Sequence, residues 1–95
     1  MIQNSWVYFI TDDHGHIKIG KANDIKTRLH DLQTGNPYKL RVLLTIPCKS
    51  EIEAFWLEQK LHKKFYKDRL EGEWFNDDEI LKFLTDDSWA ETLCM

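Results

Sequence analysis

Glu58 and His62 stand four residues apart in FWLEQKLHKKF, a segment whose apolar residues recur at helical spacing. On an ideal helix with Ile52 at zero, Ala54, Leu57, Leu61 and Phe65 fall between about 140° and 220°, which is a core stripe. Glu58 lands at about 240° and His62 at about 280°, while the other charged and amide groups spread from Gln59 at about 340° round to Lys64 at about 120°. Glu58 and His62 therefore point into the seam beside the core. A carboxylate there costs free energy unless it is paired or metal-bound. Two readings stand: an i,i+4 Glu–His pair at the rim of the core, or a carboxylate for a divalent ion such as Mg²⁺, which needs only one or two protein carboxylates.

A second concentration of chemistry is HIKIGKANDIKTRLHDLQTG, residues 16 to 35. A short apolar alternation ends in Gly20, Lys21 follows at once, and the next helix carries Lys26, Arg28 and His30. Such a strand-to-helix junction is either a solvated turn or a place for an anion. With Asp24 at zero, Arg28 lies at about 40° and flanks a stripe of Leu32, Ile25 and Leu29 between about 80° and 140°. Its stem can cover the core and leave the guanidinium at a cleft, where a planar, permanently charged group suits phosphate; the alternative is a snorkelling surface arginine. Tyr8 and Lys18 oppose the apolar alternation of their own strands, so they can share one face as cross-strand neighbours. A cation beside the phenol would lower its pKa, or the two form a plain surface pair.

These groups must be positioned by a small set of elements. WVYFIT, residues 6 to 11, is β-branched and aromatic and reads as a strand. DDHG is a turn in which Gly15 supplies the permissive φ, and HIKIGK closes a hairpin. Asn23 or Asp24 caps a helix to about Thr34, ended by Gly35 and Pro37. LRVLLTIP is a third strand. Ser50 followed by Glu53 is a capping box opening a helix to about Lys67. EGEWF is a turn plus a short strand or extended piece, and Asn76 or Asp77 caps a last helix, DDEILKFL. The order β-β-α-β-α-(β)-α predicts an α+β fold with a mainly antiparallel three-stranded sheet flanked by helices.

The 95 residues suffice for one domain with one modest core, here rich in aromatics. We expect a single domain over 1–95, with a core from about 6 to 84 and an acidic tail over about 85–95. The net charge of −3 hides an asymmetry: residues 14–48 hold six Lys/Arg against two acids, and residues 70–95 hold one against eight. A basic body with an acidic tail is a partner-binding pattern. Cys48 and Cys94 form no metal-ligand spacing, which favours a reduced setting. The N-terminus reads as a strand and not as a signal peptide. No apolar run is long enough for a membrane helix.

With these residues in hand, the chain resembles the GIY-YIG nuclease superfamily. WVY at 6–8 stands for the first motif and KIG at 18–20 for the second. KIGKANDIKTRL is similar to the corresponding segment of bacterial excision-repair nuclease domains. Glu58 stands at the metal-glutamate position, and the closing EWF is similar to a branch of small phage and bacterial DNA-binding proteins. The likeness spans roughly residues 6 to 84. It implies a phosphodiester hydrolase in which Tyr8 is a general base or orients the attacking water, and Glu58 holds one Mg²⁺ or Mn²⁺. Arg28 neutralises charge in the transition state, and Lys18 replaces a tyrosine as base or phosphate contact. Gly20 allows a close backbone approach. Lys21, Lys26, His30 and His62 are candidate phosphate or DNA contacts, the histidines also as proton donors to the leaving group. The chain departs from the family pattern where Trp6 replaces a glycine, Lys18 a tyrosine, and Glu73 and Trp74 occupy the region of a frequent asparagine.

Three functions follow as expectations: a metal-dependent DNA endonuclease, an inert DNA-binding module of the same fold, or a protein-interaction domain. The nuclease reading places the chain in the cytoplasm of a bacterial or phage-infected cell, with DNA as partner. So small a chain has little surface for reading sequence. Specificity would then come from a homodimer, a partner protein or a structured substrate. The acidic tail would limit non-specific binding or occupy the groove.

Overall fold

The computed structural model describes residues 5–86. Residues 87–95, which hold most of the acidic tail and Cys94, lie outside the described residues. The elements run β1 (Ser5–Thr11), β2 (His16–Ala22), α1 (Ile25–Gln33), β3 (Arg41–Cys48), α2 (Glu51–Lys64), β4 (Trp74–Asn76) and α3 (Asp78–Thr85). The fold is α+β, in the expected order. The sheet has four antiparallel strands instead of three, ordered β3-β1-β2-β4. The extra strand is the EWF piece: Phe75 pairs with Ile17 and Trp74 with Lys18, because the outer edge of β2 would otherwise leave its backbone groups unpaired.

The hairpin turn is held by Asp12. Its Oδ1 accepts from the backbone N–H groups of His14 and His16, and its Oδ2 lies 2.7 Å from His16 Nδ1. Gly15 has the expected positive φ of 93°. Asp24 caps α1 by accepting from Thr27 N. At α2, Ser50 Oγ accepts from Glu53 N, while Glu53 reaches back to Lys49 N at 2.8 Å, one residue before the cap. The helix ends at Lys64, short of the expected Lys67, and Tyr66–Asp68 form a separate 3-10 turn. The chain tightens there because Phe65 must turn inward onto Phe83.

Strand alternation divides the core into two layers. Val7, Phe9, Ile17 and Ile19 face Ala54, Leu57 and Leu61 of α2 and Ile80 and Phe83 of α3. Tyr8, Ile10 and Ala22 face the opposite way, against Ile25, Leu29 and Leu32 of α1. Cys48 is buried in the α2 layer. No described helix is long and apolar enough to cross a membrane.

Candidate active site

The site forms where the two layers meet, at the edge of β2 just beyond the end of β4. β4 covers His16 to Lys18 only. Past it, Ile19 N donates to Glu73 O, and the Ile19 carbonyl accepts from His62 Nε2 at 2.8 Å. A carbonyl can only accept, so Nε2 carries a proton. Glu58, one turn earlier on α2, comes round the same edge. Both side chains are buried, at 4% and 8% exposure. The seam position read from the helix wheel is thus where they lie.

From the other layer comes Tyr8. Its backbone partner on β2 is Gly20, not Lys18. A Cβ at residue 20 would strike the phenol oxygen and come within 2.6 Å of Cζ, so glycine is what lets the ring cross β2 toward the edge. Tyr8 Oη is fully buried and has no hydrogen-bond partner among the described residues. An unpaired buried hydroxyl costs about 1–3 kcal/mol, so this one marks a place where something polar belongs.

Lys18 shares the face of Tyr8, as the alternation predicts, but stands opposite Ile10. Its ammonium lies 3.4 Å from Glu73 Oε1 and over the Trp74 ring. The cation acting on Tyr8 is instead Arg28, although no N–H of its guanidinium meets Oη in hydrogen-bond geometry. The phenol pKa is not lowered. Burial pushes it up to about 12, with Glu73 and Glu58 adding to that and Arg28 opposing it. At neutral pH Tyr8 is a proton donor.

Glu58 is raised too, first by burial, then by the charge of Glu73 and a hydrogen bond to it that favours the neutral form; His62 opposes the shift. A long contact from Gln59 Nε2 at 3.5 Å also reaches it. Ligand atoms of Glu58, His62 and Glu73 all lie within 4.8 Å of one another, a spacing that can hold a metal ion. Two carboxylates, one of them buried and short of donors, fit a hard divalent cation. Beside them opens a cleft of about 330 Å³ lined by Gln59, His62, Lys63, Tyr66, Arg69 and Glu73. A larger groove of about 480 Å³ lies between the end of α2 and α3, around Lys64, Tyr66, Lys82 and Phe83, and contains none of Tyr8, Glu58 or Glu73.

Tyr8, Lys18, Gly20, Arg28, Glu58 and His62 are therefore brought together. The other basic positions are not. Lys26 and His30 are exposed and sit two residues either side of Arg28, roughly 160° away round α1. Strand alternation turns Lys21 to the α2 face, opposite Tyr8. Glu73 is the residue that sequence reasoning missed. Its signal was its place just before the WF strand, in the region of the expected asparagine.

The T5orf172 domain family model matches residues 5–91, nearly the whole chain, and the chain belongs to that family. The domain is found in some nuclease-like proteins, which points to a nuclease or DNA-related role. No curated protein and no solved structure matches the chain.

Proposed function

We propose that the protein is a divalent-metal-dependent endonuclease that cleaves DNA phosphodiester bonds. The observation that carries this reading is the buried, unpaired Tyr8 hydroxyl, aimed over Gly20 at two carboxylates. The resemblance of its motif order to that of the GIY-YIG nucleases supports it, as does the T5orf172 family's link to nuclease-like proteins.

Glu58 and Glu73 would hold one Mg²⁺ or Mn²⁺, with His62 beside them fixed by the Ile19 carbonyl. The ion, when bound, supplies charge to polarise the scissile phosphate. The protonated Tyr8 phenol donates a hydrogen bond that orients the attacking water or a phosphate oxygen. Arg28 balances charge on the phosphoryl group. Lys18 holds Glu73 in place through their ion pair.

The test is supercoiled plasmid incubated with Mg²⁺, Mn²⁺ or EDTA, for wild type and Glu58→Gln. We expect metal-dependent nicking that the variant loses. Absence of product under every condition, with salt-sensitive binding retained, would replace this reading by that of an inert DNA-binding module. One contact favours that second reading: Lys18 already neutralises part of the charge a metal would need.

A further inference from the structure

The outward side of α2 carries groups that neither the core nor the metal cluster uses. Ile52, Phe55 and Trp56 are 71%, 41% and 62% exposed, and the two aromatic rings meet edge to face at 5.2 Å. On the helix wheel, a sector roughly 140° wide runs from Phe55 through Gln59, Ile52, Lys63 and Trp56 to Lys60 and contains no acid. It begins beside His62 and Glu58. Toward the end of α2 it continues into the cleft, whose outer wall is Gln59, Lys63, Tyr66 and Arg69, with Tyr66 64% exposed. Large aromatics left in water and interleaved with cations are not how a plain solvated helix face is built.

We propose that this ridge binds single-stranded DNA and leads it into the cleft, so that the preferred substrate has an unpaired segment next to the cut. The inference rests on the DNA reading above and names its substrate class. Exposed rings offer stacking platforms only to bases that are out of a duplex, and cations beside them track the backbone. Two features choose this occupant: the sector's charges are all positive, and the ridge is continuous with the reacting groups. A second copy of the chain, α2 against α2, would set Lys60 and Lys63 against their own kind.

The test is fluorescence anisotropy of labelled oligothymidine with the full chain in EDTA, competed by unlabelled blunt duplex, for wild type, Trp56→Ala and Tyr66→Ala. Both positions are exposed, so the variants should keep the wild-type circular dichroism. We expect binding weaker by roughly 5- to 100-fold in Trp56→Ala, with a smaller loss in Tyr66→Ala and poor competition by duplex. Unchanged affinity in both variants would overturn the proposal. So would equal competition by duplex, or a dimer that Trp56→Ala dissolves while DNA affinity stays. The two readings fail separately. A protein that nicks plasmid without using Trp56 keeps the nuclease reading and loses this one. Binding to oligothymidine through Trp56 without cleavage does the reverse.

Discussion

Asp12 and Glu58 are both nearly buried carboxylates, at 6% and 4% exposure, each beside a histidine. Their surroundings differ. Asp12 accepts from two backbone N–H groups and pairs with His16 at 2.7 Å. Burial alone would raise its pKa, but the His16 side chain and the His14 and His16 N–H groups outweigh that and hold it low. Among the described residues Glu58 has no backbone donor; it faces another carboxylate, and its pKa is raised. Donor supply decides the role of a buried acid. Asp12 is satisfied by the protein and fastens a turn, whereas Glu58 keeps acceptor oxygens that few described donors meet, which is what the proposed metal would use.

The largest effect is expected at Glu58. We expect Glu58→Gln to lose at least ~100-fold in metal-dependent nicking, with no fall in melting temperature, because a buried carboxyl that meets another carboxylate and few donors gives way to a neutral amide of the same shape. A variant that melts clearly lower would mean that Glu58 is structural like Asp12. Next in size is Gly20→Ala. The new methyl meets the Tyr8 ring, which has nowhere to go, so we expect a loss of about 1–3 kcal/mol by urea titration together with loss of nicking. Asp12→Asn should do the opposite of Glu58→Gln. Weakened acceptors at the turn should cost about 1–2 kcal/mol, and nicking by the folded protein should stay at the wild-type rate.

The smallest effect, and the finest test, is in pH. The Asp12 pKa is lower folded than unfolded, so its stabilisation is present above the ordinary value of 3.8 and is lost as pH falls through the folded value. The gap between wild type and Asp12→Asn should close in acid. The Glu58 pKa is higher folded than unfolded, so the folded state binds more protons and wild-type stability falls as pH rises above the ordinary 4.5. Glu58→Gln should therefore gain on wild type as pH rises through that range. Denaturant midpoints of the three proteins across acid pH check both signs.

Local signals were legible because their physics is local. Ser50 and Glu53 around one helix start, Asp24 before another, and Gly15 in the hairpin act within four residues, and each was found where expected. Helix periodicity also put Glu58 and His62 in the seam beside the core, since burial follows azimuth on a helix. What failed was pairing between elements. β4 is three residues long, too short to show a period, so the fourth strand and Glu73 beside it were not read as part of the site. Alternation puts Tyr8 and Lys18 on one face, yet their backbone partners are Gly20 and Ile10, because register is set by the turn and not by either strand alone.

The amino-acid order by itself determined the elements, their apolar faces, the class of fold and a short roster of side chains able to handle a phosphate. These follow from spacing and backbone preference along the chain. The tertiary structure alone decided which of them meet. It brought Glu73 beside Glu58, drew Lys18 onto Glu73, turned Lys26 and His30 away, and shut the Tyr8 hydroxyl in without a hydrogen-bond partner among the described residues. It also reversed the expected shift of the Tyr8 phenol. A pKa depends on burial and on every charge within reach, and both are properties of the packed edge of β2, not of any one segment.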